Sequence, residues 1–322
     1  MKLVIAFFRL VRWPNLVFIV ITQCLFYYLV VIPVFNKNNA TPVLSPLLFW
    51  FLVFSSVLIA AAGYIINDYF DLNIDRVNKP DKLVVEKIIK RRWAIMWHLI
   101  LSFAGLIISL WVCFKVGDLY AMAVAVINFF CIIALWLYST IYKRKLLIGN
   151  ILISVLTAWT ILILYLINMK SFYLYTIITE YMHNYEMAST KLFKYAIVYA
   201  GFAFIISLVR EVIKDMEDME GDARYGCKTM PIVWGIPATK VFTAVWLIVL
   251  TGALIVIQFY AMHLGWWWSV AYCAVTIILP LLWILQKLYK AQVAKDYHVL
   301  SNAVKLVMLA GILSMIFFRI YA

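Results

Sequence analysis

Residues 46–75 read PLLFWFLVFSSVLIAAAGYIINDYFDLNID, an uncharged apolar run that closes on Asn67-Asp68-Tyr-Phe-Asp71-Leu-Asn-Ile-Asp75. A helix crossing about 30 Å of hydrocarbon needs roughly 20 apolar residues, and the run supplies them before its first acid. Scanning outward on the same basis predicts nine spans, at 14–35, 45–66, 93–114, 119–138, 150–168, 194–212, 240–261, 266–286 and 301–321. The predicted fold is therefore all-α, a polytopic membrane protein with one domain over residues 1–322. Composition agrees: 66% of the residues are hydrophobic and 13% charged, against about 45–50% and 25% in soluble domains.

The first span begins inside MKLVIAFFRLVRWPNLVFIVITQ, which continues past any small-residue cleavage site and reads as a retained helix rather than a signal peptide. A net charge of +13 with 17% aromatics could suit nucleic acid, but the aromatics lie inside apolar runs instead of alternating with Lys and Arg, so no nucleic-acid partner is expected. The five cysteines are scattered without a CxxC, so neither a zinc site nor a disulfide framework is indicated. His98, His183, His263 and His298 show no metal-ligand spacing. The polar stretch 169–193 reads as an outer loop, and Trp266-Trp267-Trp268 as an interfacial anchor.

With a cytoplasmic amino terminus, 21 of the 28 Lys and Arg fall on the cytoplasmic side, as the positive-inside rule requires, and the carboxyl terminus is placed outside. Short loops suit a prokaryotic inner membrane. The acids are still more uneven, with 11 of 15 following spans 2 and 6. Asp68, Asp71 and Asp75 match Asp215, Asp218 and Asp222 in the spacing D-x-x-D-x-x-x-D. On a helix these positions share one face, where carboxylates repel one another unless a cation lies between them. One stripe alone would also suit a solvated helix end; two with the same spacing on one membrane side point to a shared ligand. Six carboxylates and the Asn67 amide form an oxygen set suited to Mg²⁺ carrying a diphosphate. Arg76, Lys82, Lys143, Arg210, Lys214 and Lys228 are predicted to contact substrate phosphate, since bases stabilise a departing diphosphate. Tyr138 and Lys143 are expected near the reacting groups, and Asn15 near the acceptor. Glu217 and Glu220 point away from the stripe and read as solvated.

Together these residues resemble the UbiA superfamily of intramembrane prenyltransferases. The resemblance rests on the two acidic motifs, on Arg12-Trp13-Pro14-Asn15, Asn78-Lys79-Pro80, Tyr138-Ser139 with Lys143, Gly149-Asn150, and Lys228-Thr229-Met230-Pro231 with Gly235. It implies nine helices around a central cavity, metal binding by Asn67, Asp68, Asp71, Asp75, Asp215, Asp218 and Asp222, and transfer of an isoprenyl group from its diphosphate to an amphiphilic acceptor among membrane lipids, with Asp71, Asp75, Asp218, Asp222, Lys143 and Tyr138 catalytic. The run from Arg210 to Pro231 is most similar to the branch that transfers geranylgeranyl to geranylgeranylglyceryl phosphate. A departure is Asp81-Lys82-Leu83 after Asn-Lys-Pro, where the family often has Arg-Pro; Lys82 could supply that base. Two alternatives stay open: an aromatic prenyltransferase acting on 4-hydroxybenzoate or dihydroxynaphthoate, and, from another class, a membrane transporter, which would need ionisable groups nearer the midplane.

Overall fold

The computed structural model describes residues 2–78, 83–171 and 180–321. Among them are nine helices long and apolar enough to cross a membrane. After a short α1 (Lys2–Leu10) come α2 (Trp13–Lys37), α3 (Pro46–Asn78), α4 (Arg91–Val116), α5 (Leu119–Thr140), α6 (Ile148–Ile167) and α7 (Glu180–Glu217). Two short helices, α8 (Met219–Arg224) and α9 (Met230–Val233), precede α10 (Gly235–His263), α11 (Trp267–Lys290) and α12 (Ala294–Tyr321). Helices satisfy every backbone donor and acceptor within one segment, which hydrocarbon demands. No strand occurs among the described residues.

All nine predicted spans are present, each longer overall and most of them extended at one end or both. The largest differences are at α3, which runs twelve residues beyond the predicted end, and at α7, which begins at Glu180 instead of residue 194. Residues 180–193 are thus helical and not the loop expected from their polarity, while 172–179 lie outside the described residues. Hydropathy marks only the part of a helix that suits hydrocarbon; backbone hydrogen bonding continues until a breaker intervenes.

Two of the spans contain a single π turn, Tyr27–Val31 and Ala274–Ile278. Each stands just before a proline, Pro33 or Pro280. A proline ring lacks an N–H and crowds the carbonyl four residues back, so the ladder locally slips to a wider turn.

Packing divides the chain into two compact units, Met1–Tyr142 with Trp159–Ile197 and Lys143–Ala158 with Val198–Ala322, so that α6 and α7 each contribute residues to both. In the first unit, α3 packs closely on α4 and α5. A Cβ on Gly105 would lie 2.8 Å from Ile59 Cγ1, and one on Gly63 2.9 Å from the Leu135 methyls. Small residues let membrane helices approach, and Ser55 Oγ donates to the Gly105 carbonyl at 2.7 Å. In the second unit, Ile206, Val209, Ile213 and Met216 of α7 form a core with Leu281, Ile284 and Leu288 of α11 and Leu300, Val304 and Val307 of α12.

Candidate active site

The first acidic motif occupies the last turns of α3, so Asn67, Asp68, Asp71 and Asp75 do share the predicted helical face. Leu72 and Ile74, one on each flank of the stripe, are buried. Asn67 and Asp71 are themselves buried, and Asn67 Nδ2 donates to Asp71 Oδ2 at 2.7 Å. The amide's other end, Asn67 Oδ1, is buried with no hydrogen-bond partner. An acceptor oxygen hidden from water without a donor is costly, and a cation would satisfy it.

Asp68 pairs with Arg12, whose Nη2 lies 2.6 Å from Oδ1. Arg12 joins α1 to α2 in a left-handed conformation, φ 51°, which is uncommon outside glycine. The bend carries its guanidinium to Asp68 and over the Tyr64 ring, 5.4 Å from the centroid. The Asp68 charge foremost, opposed by burial and aided by Tyr64 and Asp71, holds the Arg12 guanidinium above its ordinary range. Asn15 is half-buried in the first turn of α2, its N–H on the Arg12 carbonyl at 2.8 Å. Arg76 meets Glu86 at 2.7 Å and is half-exposed. Lys82, with Lys79, Pro80 and Asp81, lies outside the described residues. Tyr138, near the end of α5, is half-buried.

The second motif departs from the prediction of one continuous helical stripe. α7 stops at Glu217, Asp218 sits at φ −94°, ψ 5°, and Asp222 belongs to the separate helix α8. Acids one turn apart repel and weaken the helix that would align them, and Asp is a poor interior helix residue but a good one at a helix start. Asp222 is buried. Asp215 accepts from Asn150 Nδ2 at 2.8 Å, with Asn150 buried in the first turn of α6. Arg210 bonds Glu211 at 2.8 Å, and Lys214 approaches the same carboxylate at 3.7 Å. Lys143 is half-buried in a 3-10 turn, Tyr142–Arg144. The loop after α8 joins that turn through the Lys228 N–H, which donates to the Arg144 carbonyl at 2.8 Å.

Glu220 is exposed as expected and pairs with Arg224. Glu217 is not solvated: its carboxylate is mostly buried and lies 2.8 Å from His298 Nδ1. In the sequence Arg12 and Asn150 stand only as members of motifs, and nothing there pairs His298 with Glu217. Among the described residues no three His, Cys, Asp or Glu side chains converge closely enough to enclose a metal by themselves. That arrangement is compatible with Mg²⁺, which commonly takes one or two carboxylates and completes its shell with water and substrate phosphate.

Residues 37–309 match the UbiA prenyltransferase family, and the chain belongs to that family, as its motifs led one to expect. It is similar to the digeranylgeranylglyceryl phosphate synthase of Methanosphaera stadtmanae, 27% identical over 259 residues covering 79% of this chain and 81% of that one. In fold it resembles a structure solved for insight into the biosynthesis of digeranylgeranylglyceryl phosphate synthase in membranes, with TM-score 0.61 at 24% identity over 98% of this chain and 99% of that one. It also resembles a UbiA homolog from Archaeoglobus fulgidus bound to DMAPP and Mg²⁺, with TM-score 0.53 at 14% identity over 96% and 98% of the two chains.

Proposed function

We propose that this membrane prenyltransferase transfers a geranylgeranyl group from its diphosphate to the free hydroxyl of geranylgeranylglyceryl phosphate, releasing pyrophosphate, with Mg²⁺ as cofactor. The observation that carries the reading is the buried, unpartnered Asn67 Oδ1 beside an acidic motif whose spacing recurs at Asp215. The synthase similar to this chain along most of its length supports the choice of acceptor.

The proposed metal ligands are Asn67, Asp68, Asp71 and Asp75, with Asp215, Asp218 and Asp222. When bound, Mg²⁺ supplies Lewis-acid stabilisation of the leaving diphosphate. Arg76, Lys82, Lys143, Arg210, Lys214 and Lys228 supply positive charge to phosphate oxygens. Tyr138 is assigned to the acceptor or phosphate side of the reaction, and Asn15 to the acceptor. As the C1–O bond of the donor breaks, C1 becomes cationic and the acceptor oxygen attacks it; the hydroxyl proton leaves with the pyrophosphate. The apolar helix walls keep out the water that would otherwise capture C1. The whole chain, residues 1–322, is proposed to work as one domain. The charge asymmetry supports a topology with both acidic motifs and the amino terminus toward the cytoplasm of a prokaryotic cell and the carboxyl terminus outside.

The test offers labelled geranylgeranyl diphosphate and Mg²⁺ to the purified protein with geranylgeranylglyceryl phosphate, 4-hydroxybenzoate and dihydroxynaphthoate in competition. Label is expected in the doubly alkylated glycerol phosphate. Label in an aromatic product would overturn the acceptor, and solute flux into liposomes without any transfer would overturn the enzymatic reading.

A further inference from the structure

Helix α7 ends at Glu217, immediately before the second acidic motif breaks at Asp218. The spacing sets Glu217 off the acidic stripe, yet its side chain is only 13% exposed, and Oε1 lies 2.8 Å from Nδ1 of His298 on α12. A carboxylate withdrawn from water needs a donor, and the Nδ1–H supplies it. The His298 ring itself is 50% exposed, so apolar packing does not account for its place.

Helix α12 presents that ring from a fixed base. Asp296 Oδ2 accepts from the Gln292 and Val293 N–H groups at 2.9 and 3.3 Å, which closes the first turn. Tyr297 and Leu300 are buried in the core that also holds Ile213 and Met216 of α7. On the other side, the position of Glu217 is passed on to the motif through the backbone. The Asp218 N–H donates to the Lys214 carbonyl at 2.9 Å, the Asp222 N–H to the Asp218 carbonyl at 3.2 Å, and the Cys227 N–H to the Asp222 carbonyl at 3.0 Å. A last helical turn frays unless something outside it holds it, and acids one turn apart add repulsion until a cation arrives.

We propose that His298 is a positioning residue for metal binding: through Glu217 it fixes the end of α7 from which Asp218 and Asp222 are presented. This deepens the function proposed above and rests on its assignment of those acids to Mg²⁺. The pair is not what holds the two helices together. Apolar packing does that, with the Tyr199 and Ser314 hydroxyls 3.0 Å apart toward the other end. A half-exposed ion pair adds little to overall stability, so its effect is local to the motif.

The test compares the unaltered protein with His298→Ala, His298→Asn, Glu217→Ala and the double variant His298→Ala/Glu217→Ala. Two quantities are read. One is the Mg²⁺ concentration giving half of the thermal stabilisation in the presence of geranylgeranyl diphosphate without acceptor; the other is the Mg²⁺ concentration giving half-maximal turnover with geranylgeranylglyceryl phosphate. His298→Ala is expected to raise both about tenfold and to leave the KM for the acceptor within about twofold. His298→Asn, whose Nδ2 can take the place of Nδ1, should restore most of the loss. Glu217→Ala should match His298→Ala, and the double variant should be no worse than either. The double variant leaves no carboxylate buried without a donor, so folding is not at stake. Gly311→Ala, which strains the same two helices against Phe202 roughly 20 Å away, should lower the unfolding midpoint without moving the Mg²⁺ requirement. An unchanged Mg²⁺ requirement in His298→Ala and the double variant, failure of His298→Asn to restore it, or an equal rise in Gly311→Ala overturns the assignment. If Mg²⁺ with the donor does not stabilise the unaltered protein, the metal reading falls and the positioning role with it. Stabilisation without transfer overturns only the proposed acceptor, and the positioning role is then decided by the stabilisation measurement.

Discussion

Asn150→Ala removes the amide that donates to Asp215 Oδ2 at 2.8 Å. Asn150 is buried, so water cannot readily replace it. A hydrogen bond to a charged group contributes about 1.5–3 kcal/mol, and each 1.4 kcal/mol is a factor of about ten. With Asp215 as a metal ligand, the Mg²⁺ concentration giving half-maximal turnover should rise by about 10- to 100-fold. Asn150→Asp should be worse than Asn150→Ala, because it sets a like charge against Asp215 rather than merely removing a donor. Asn150→Gln should fall between the unaltered protein and Asn150→Ala. The assay is a Mg²⁺ titration of initial rate at saturating donor and acceptor, with the unfolding midpoint followed in parallel. A half-saturating concentration within about twofold of the unaltered protein, with Asn150→Ala and Asn150→Asp behaving alike, would refute the reasoning.

Asp71→Ala and Asp218→Ala should each lower kcat/KM by about 10²–10³ or more, whereas Glu220→Ala, at an exposed residue paired with Arg224, should stay within about twofold; steady-state rates on folded protein decide this. Gly311→Ala should lower stability by about 1–3 kcal/mol, since its Cβ would clash with the edge of the Phe202 ring. Adding Phe202→Leu should recover more than half of that loss in thermal unfolding, and strictly additive losses would exclude the contact. Chelating divalent metal should stop turnover yet leave the unfolding midpoint unchanged; a collapse of the fold would make the metal structural.

Much of the candidate site is legible because acids are scarce in this chain. Once 11 of 15 fall into two groups, their spacing and side stand out against an apolar background. The prediction for the first motif held: α3 stays helical to Asn78. The second motif has the same spacing yet breaks at Asp218, since spacing says nothing about whether mutual repulsion is relieved by bending the backbone. The solvated position expected for Glu217 fails for a similar reason. Its position relative to the stripe could be counted, but its burial depends on α12, whose first turns bring His298 against it.

The sequence alone determined the number, order and approximate place of the spans, the family resemblance, and the residues proposed as metal ligands. Those properties are local: hydrocarbon charges its cost residue by residue, and motif spacing is a matter of counting. Only the tertiary structure decided which partner each charge has. Arg12 and Asp68 are 56 positions apart, Asn150 and Asp215 are 65, and Glu217 and His298 are 81. Such pairs depend on which faces of two helices meet, and the packing of apolar side chains and glycines sets that register far from the charges themselves.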